Sequence, residues 1–159
     1  MKIYFAAPMF AQSEQLYNQM IVTKLRKKYP QLTIYLPQEN EAINNKNAYA
    51  NSQMIALADT QKVLESQLMI ALLDGTVIDP GVASEIGVAY AKGIPVIALY
   101  TDSRQQGGNH PDKIAALNEV AESQFHYLNL YTVGLIKLNG EVVSTEEALD
   151  NSLKKYLVF

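Results

Sequence analysis

The segment from Leu68 to Ala91, LMIALLDGTVIDPGVASEIGVAYA, most constrains what this chain can fold into. It starts as an uninterrupted apolar run, is broken by Asp74-Gly75 and Asp79-Pro80-Gly81, and then changes to a helical period. This order predicts a buried strand, a loop and a helix. Because open parallel sheets bind ligands beyond the carboxyl ends of their strands, we expect the functional site at Asp74, Asp79 and Glu85.

Glu85 has an unusual position in the predicted helix. With Asp79 as N-cap and Pro80 as the first helical residue, Glu85 lies at the edge of an apolar face. That face carries Val82, Ile86, Ala89 and Tyr90, and the small residues Gly81, Ala83 and Ser84 leave room beside the carboxylate. Such a carboxylate needs a partner or has its pKa raised. A partly exposed Glu favoured by the helix dipole is the alternative interpretation.

Composition narrows the classes of function. With 159 residues, 48% of them hydrophobic, we expect one globular domain over residues 1–159. A net charge of −3 without a basic patch argues against nucleic-acid binding. The chain has no cysteine, which excludes thiolate chemistry, and His110 and His126 lack metal-ligand spacing, so we expect no metal. With no membrane-length run and no convincing signal peptide, we expect a soluble, cytoplasmic protein that binds no membrane.

The rest of the chain alternates predicted strands and helices. Strands are predicted at Lys2–Ala7, Leu32–Leu36, Ile94–Tyr100 and Glu141–Val143, and helices at Gln12–Lys28, Ala48–Ser66, Pro111–Glu122 and from Ser144 or Thr145 to about Tyr156. Leu128–Leu138 fits either a helix or a strand. This alternation predicts a flavodoxin-like α/β fold, in which a doubly wound five-stranded parallel sheet of order 2-1-3-4-5 lies between helices in three layers, α/β/α. The first helix should bury Leu16, Met20, Val22 or Thr23, and Leu25.

Three more side chains are candidates for a site. Tyr4 and Phe10 lie near the end of the first strand, where they are suited to orienting a carboxylate and covering an aromatic ligand, unless they pack in the core. Asp59 interrupts the apolar row of Ile55 and Val63. A raised pKa there would suit a proton donor, and a structural Asp is the alternative. The polar loop from Pro37 to about Asn47 is a binding loop or a mobile connection.

Several of these segments resemble the nucleoside 2-deoxyribosyltransferase family. The opening IYFAAPMF is similar to the family's first strand and loop, and ALADTQKVLESQLMIALLDGTVIDPGVASEIGVAYAKGIPVIAL to its central strand and nucleophile helix. The stretch LNLYTVGL is similar to a part that reaches a neighbouring subunit's site in that family. The resemblance covers most of the chain, and the ordered set of segments is more specific than any one of them.

The resemblance implies transfer of 2-deoxyribose between purine or pyrimidine nucleobases through a covalent deoxyribosyl-glutamate, with retention of configuration. Glu85 matches the nucleophile, Tyr4 the residue that orients it, and Asp59 the acid that helps the base leave. Asp79 matches a ligand of the sugar 5′-hydroxyl, and Asn129 its partner from a neighbouring subunit. Two carboxylates suit this chemistry because one stabilises and captures the oxocarbenium-like sugar while the other handles the proton.

The resemblance also implies the partners of the chain. These are 2′-deoxyribonucleosides, free nucleobases and further copies of the chain in a dimer-based homo-oligomer, up to a hexamer, whose active sites are shared. No cofactor is implied. Phe10, Ala6, Gly81 and the loop from Gln38 are expected to contact substrate, and Asp74 either contacts substrate or supports residues that do.

Two other functions remain open from the sequence. A hydrolase of 2′-deoxynucleoside 5′-phosphates would use the same nucleophile, but it needs phosphate donors where this chain has Asp79, whose charge repels phosphate. A non-catalytic nucleotide-binding module is also compatible with the fold, because a fold alone does not fix a function.

Overall fold

The computed structural model describes residues 1–45, 47, 49–105 and 109–157. In this part of the chain the strands are β1 (Lys2–Ala6), β2 (Thr33–Tyr35), β3 (Leu68–Leu72), β4 (Val96–Leu99) and β5 (Gly140–Val143). The helices are α1 (Gln12–Lys28), α2 (Glu41–Asn44), α3 (Ser52–Leu64), α4 (Pro80–Ala91), α5 (Pro111–Ala115), α6 (Leu130–Leu138) and α7 (Glu146–Lys154). Short 3-10 turns occupy Pro37–Glu39 and Ala116–Asn118.

The five strands form one parallel sheet in the order β2-β1-β3-β4-β5. The predicted flavodoxin-like topology and the three-layer α/β/α fold are therefore confirmed. In the register of the sheet, Tyr4 of β1 lies between Tyr35 of β2 and Met69 of β3. Because all strands run the same way, the ends of β1 and β3 open onto the start of α4 at one edge of the sheet.

Alternating side chains of the strands supply a core on each face of the sheet. Ile3, Phe5 and Ile70 pack with residues of α1 and α7 on one face. Tyr4 and Met69 pack on the other with residues of α3, α4 and α6. Nearly every residue of β1, β3 and β4 is buried, as expected for central strands of a parallel sheet covered on both sides.

The structure corrects several predicted elements. Helix α1 turns Leu16 and Met20 outward and buries Asn18 together with Ile21, Val22 and Leu25. The ambiguous stretch becomes helix α6. The predicted Pro111–Glu122 helix ends early, and Ala121 has a φ of 68°, which a continuous helix does not allow. The predicted start of α3 at Ala48 lies outside the described residues.

Two predictions about helix faces are also only partly right. On α4, Val82, Ile86 and Ala89 are buried as expected, whereas Tyr90 is on the exposed side. Helix α3 buries Val63 and leaves several apolar side chains open, namely Met54, Ile55, Leu57 and Leu64. Within the ranges that the structure describes, no helix combines the length and the apolar character needed to span a membrane.

Candidate active site

The start of α4 is fixed by Asp79 and Pro80. Asp79 Oδ1 accepts hydrogen bonds from the backbone N–H groups of Gly81 and Val82, at 2.8 and 3.1 Å. Pro80 is the first helical residue, where its missing N–H costs nothing. This local sequence places Glu85 in the second turn of the helix, facing the end of β1.

Tyr4 and Glu85 form the central contact of the site. The Tyr4 hydroxyl donates a hydrogen bond of 2.6 Å to Glu85 Oε1. Tyr4 is fully buried, and its burial together with the charge of Glu85 raises the pKa of the phenol far above its ordinary value. The phenol therefore stays protonated at neutral pH and acts as the donor to Glu85. It fixes one carboxylate oxygen and leaves Oε2 for a ligand.

Glu85 is a perturbed carboxylate. Burial raises its pKa to about 7, and the charges of Asp59 and Asp79 act in the same direction, while the hydrogen bond from Tyr4 opposes them. Such a shift in a cavity is typical of functional carboxylates. Glu85 thus lies partly buried beside Tyr4, and its role as a functional carboxylate stays a prediction.

Asp59 supplies a second carboxylate from α3. Partial burial raises its pKa above the ordinary value for an aspartate. Glu85 and Asp59 line the same cavity, so two acids from adjacent helices face one space. Because like charges disfavour each other and the charge of Asp59 raises the pKa of Glu85, the pair is suited to sharing one proton.

The cavity that contains both acids has a volume of about 350 Å³, within the range for small-molecule sites. Apart from the carboxylates of Asp59, Asp79 and Glu85, its lining is apolar: Ala7, Met9, Phe10, Pro37, Ile55, Pro80, Gly81 and Val82. A second cavity of about 370 Å³ follows the groove between α3 and α4 and shares Asp59 and Glu85 with the first. The acids therefore lie where two cavities meet.

Most of the expected site residues are brought together here. Glu85, Asp59, Asp79 and Gly81 line the main cavity, and Tyr4 reaches it through Glu85. Phe10 lies at its mouth with 83% of its surface exposed, so it is not a core residue.

Two expected contacts at the cavity are displaced by one residue. Ala6 is fully buried at the end of β1, in the same core as Tyr4; Ala7, the first residue after the strand, lines the cavity instead. In the loop after β2, Pro37 lines the cavity. The side chain of Gln38 is engaged elsewhere, with Asn18 and with the backbone of Gln15.

Asp74 lies outside this cavity. Its carboxylate accepts hydrogen bonds from the N–H of Thr101 at 2.6 Å, from the Thr101 hydroxyl at 2.6 Å and from the N–H of Asp102 at 3.1 Å. It borders a separate cavity of about 220 Å³ beside Tyr17. The Asp74 carboxylate therefore holds the start of the loop after β4 and does not line the Glu85 cavity.

Asn129 is also outside the Glu85 cavity of its own chain. It is the N-cap of α6, where Oδ1 accepts from the N–H of Thr132 at 3.1 Å. It borders a cavity of about 500 Å³ that shares no lining residue with the main one. Large exposed apolar side chains surround it: Val77, Tyr127, Leu130 and Tyr131.

Tyr35 was missed by the sequence analysis. Its ring packs on Tyr4, with centroids 5.5 Å apart and planes at 32°, and its hydroxyl accepts a hydrogen bond of 3.0 Å from Asn40. The signal was present, because β2 pairs with β1 and Tyr35 lies opposite Tyr4 in the register. Across the described ranges, no cluster of three or more His, Asp or Glu side chains is arranged to hold a metal ion.

Comparison with solved structures shows related folds. The crystal structure of a conserved protein from Enterococcus faecalis V583 is 65% identical, with 99% of each chain covered and a TM-score of 0.94. A 2-deoxyribosyltransferase from Leishmania mexicana is 19% identical over 99% of each chain, with a TM-score of 0.67. The CMP N-glycosidase of Clostridium botulinum is 20% identical over 99% of this chain and 100% of its own, with a TM-score of 0.51.

A search of curated proteins gave no match. The sequence model of the nucleoside 2-deoxyribosyltransferase family, however, matches residues 3–151, a span that includes Tyr4, Asp59, Asp79, Glu85 and Asn129. The match extends over nearly the whole chain. The chain therefore belongs to the nucleoside 2-deoxyribosyltransferase family.

Proposed function

We propose that this protein transfers 2-deoxyribose from a 2′-deoxyribonucleoside to a free nucleobase, through a covalent bond between the sugar and Glu85. The observation that carries the proposal is the geometry of three groups. Tyr4 holds one oxygen of Glu85 at 2.6 Å, and Glu85 and Asp59 face one largely apolar cavity. A nucleophile with an orienting donor and a nearby acid is what cleavage of an N-glycosidic bond requires.

In the first half of the reaction, Glu85 Oε2 attacks C1′ of the sugar on the face opposite the base. The new C–O bond forms as the C–N bond breaks, and the electron pair of the C–N bond goes to the base. Asp59 donates its proton to the base, which leaves neutral. Partial burial raises its pKa above the ordinary value for an aspartate, which favours the protonated form that this step needs.

In the second half, a nitrogen of the acceptor base attacks C1′ and Glu85 leaves as a carboxylate. The proton of the acceptor base returns to Asp59, so the protein ends as it began. Two displacements at one carbon preserve the β configuration. The apolar walls of the cavity favour a stacked base over water as the second nucleophile.

The 5′ end of the sugar is expected to be a free hydroxyl. Both capping bonds of Asp79 use Oδ1, so Oδ2 is the oxygen that is available to accept from a hydroxyl. A phosphate there would meet a carboxylate, and none of the described residues that line the cavity is Lys or Arg. These charges favour nucleosides over nucleotides and weigh against the nucleotide hydrolase.

We further propose that each site is completed by a second copy of the chain. Asn129 does not line the Glu85 cavity of its own chain; it caps α6 and borders a different cavity. The large apolar side chains around it, such as Leu130 and Tyr131, are exposed as they would be at a subunit contact. Asn129 of the partner subunit would then share the 5′-hydroxyl with Asp79.

The direct test is product analysis. The protein is incubated with deoxyinosine and adenine, and in parallel with thymidine and cytosine, and the products are separated by chromatography. Deoxyadenosine or deoxycytidine supports the transferase, and free deoxyribose without a new nucleoside indicates a hydrolase. Binding without turnover would support a non-catalytic module. Glu85→Ala is the control, and exchange at the wild-type rate in that variant would contradict the assignment of the nucleophile.

A further inference from the structure

Asn18 is a buried polar residue that the reaction does not use. It lies on the inner face of α1, with 1% of its surface exposed, among the apolar neighbours Ile21, Val22 and Leu25. A buried amide in this position is costly unless its hydrogen bonds are made. Its partners therefore indicate why an amide is present.

Both hydrogen bonds that Asn18 donates go to loops of the active site. Nδ2 donates to the backbone carbonyl of Pro8 at 2.8 Å and to Oε1 of Gln38 at 3.0 Å. Pro8 belongs to the loop after β1, and Gln38 to the 3-10 turn after β2. One side chain thus joins two loops that are otherwise separated by the whole of α1.

A second set of hydrogen bonds closes the connection. Gln38 Nε2 donates to the carbonyl of Gln15 at 3.0 Å, and Gln15 Nε2 donates to the carbonyl of Met9 at 2.9 Å. Glu14 also accepts from the N–H groups of Phe10 and Ala11. The two loops and the first turns of α1 are therefore one hydrogen-bonded unit.

Both joined loops line the catalytic cavity. Met9 and Phe10 come from the loop after β1, and Pro37 comes from the turn after β2. The relative position of these residues shapes the space available to a flat, aromatic base. Because Asn18 bonds to the residue before Met9 and to the residue after Pro37, it holds the two loops in one relative position.

We propose that Asn18 is a positioning residue that fixes the relative position of the two loops lining the base-binding cavity and so determines the affinity for the acceptor base. The proposal rests on the proposed transferase function. Asn18 acts through the two loops and does not touch Glu85, so its loss should weaken binding of a base more than it slows formation of the sugar–enzyme bond at saturating donor.

The substitution Asn18→Leu tests this role, because leucine has a similar size but donates no hydrogen bond. Asn18→Asp is the second variant, since it keeps the shape and places carboxylate oxygens against two acceptor oxygens. Val22→Ala is the matched control: Val22 is buried one turn further along α1 and packs only in the core. Melting temperatures of the three variants show how much stability each one loses.

The first readout is amide hydrogen exchange, which does not depend on activity. Asn18→Leu and Asn18→Asp should each speed exchange at Phe10 and Ala11 in one loop and at Glu39 and Asn40 in the other. Val22→Ala should leave both segments as in the wild type. Faster exchange in only one segment, or in neither, would overturn the proposal that Asn18 joins the loops.

The second readout separates the two half-reactions. With Asn18→Leu we expect the KM for the acceptor base to rise about 5- to 10-fold, the loss expected from one or two buried hydrogen bonds. Release of base from the donor without acceptor should stay within about threefold of the wild type. An unchanged acceptor KM, or a change matched by Val22→Ala, would reject the positioning role. A wild-type protein with neither activity would refute the proposed function, whereas hydrogen exchange would still decide whether Asn18 couples the loops.

Discussion

Asp59 and Glu85 come from adjacent helices, face one cavity, and interact strongly enough that Asp59 raises the pKa of Glu85. The pair is best treated as a unit with two apparent pKa values. The catalytic form carries one proton on Asp59, with Glu85 ionised as nucleophile. Because the pKa of Glu85 is about 7, the proton of the singly protonated pair lies mostly on Glu85, and the catalytic form is the minor one. Losing that proton removes the acid, and adding a second removes the nucleophile.

This coupling predicts a bell-shaped pH dependence of kcat/KM for the donor nucleoside. The alkaline limb should fall near pH 7, since the pKa of Glu85 is about 7 and marks loss of the last proton from the pair. In Asp59→Asn only one carboxylate remains, so the rate should rise with pH to a plateau, with a midpoint below that value. Its maximum should drop by about 100-fold or more, because general acid catalysis is lost. An alkaline limb that survives in Asp59→Asn would contradict the assigned acid.

The same pKa predicts how stability depends on pH. The pKa of Glu85 is raised from 4.5 to about 7 on folding, so between these values the native state binds more protons than the unfolded state. Stability from this group is therefore greatest below about pH 4.5 and is lost as pH rises to about 7. Glu85→Gln removes the charge and should stabilise the protein at pH 8 by on the order of 3 kcal/mol at most, with little effect at pH 4.

The measurement is chemical unfolding of wild type and Glu85→Gln at both pH values. Glu119→Gln, at an exposed position, is the control and should show no such difference. Equal stabilities at pH 8 would mean that the Glu85 carboxylate is better solvated than its burial indicates.

Tyr4→Phe should separate orientation of the nucleophile from folding. The variant keeps the ring packed on Tyr35 but loses the 2.6 Å hydrogen bond to Glu85. We expect kcat/KM at pH 6 to fall on the order of 100-fold, because Glu85 is no longer held in position. The pKa of Glu85 should rise in this variant, since the hydrogen bond from Tyr4 lowers that pKa.

Tyr29→Phe is the matched control for that experiment. The Tyr29 hydroxyl donates a 2.8 Å hydrogen bond to Asp150, a similar contact remote from the cavity. Both variants should lose comparable stability, about 1 kcal/mol, and only Tyr4→Phe should lose activity. Similar pH–rate profiles for Tyr4→Phe and wild type would show that the hydroxyl does not act on Glu85.

The sequence predicted the part of the site that follows from periodicity. Once β1 and β3 are neighbours and α4 follows β3, Tyr4 and Glu85 must approach each other. Asp59 was also selected as a candidate from the sequence, because it interrupts an apolar row of the helix predicted there. These inferences use local patterns and one rule of sheet topology.

The sequence did not predict the contacts between distant loops. In the sequence Asn18 looks like a surface residue, because Leu16 and Met20 give the helix an apolar face that does not include it. Its burial is explained only by its hydrogen bonds to Pro8 and Gln38. Asp74 was expected to contact substrate or to support residues that do, and its partners at Thr101 and Asp102, which lie 27 and 28 residues further along the chain, were not predicted. Such pairings depend on where loops meet, which propensities do not encode.

A shared active site makes a prediction that single variants cannot test. If Asn129 serves the neighbouring subunit's Glu85, then Asn129→Ala and Glu85→Ala are each inactive in every site of a homo-oligomer. When the two proteins are unfolded together and refolded, hybrid oligomers contain some sites with wild-type Glu85 and wild-type Asn129. Activity should therefore return on mixing, although each parent is inactive alone.

Two controls make the mixing experiment decisive. Because Asn129 is also the N-cap of α6, Asn129→Ala should lower the stability of the protein by about 1 kcal/mol. Thr145→Ala removes the N-cap of α7 and should cause a similar loss of stability away from the site. Asn129→Ser keeps a capping oxygen but lacks the amide, so it should be stable and still complement Glu85→Ala. If mixed oligomers stay inactive, or if Asn129→Ser alone is as active as wild type, Asn129 does not act across a subunit contact, and the 5′-hydroxyl must be held by Asp79 and its own chain.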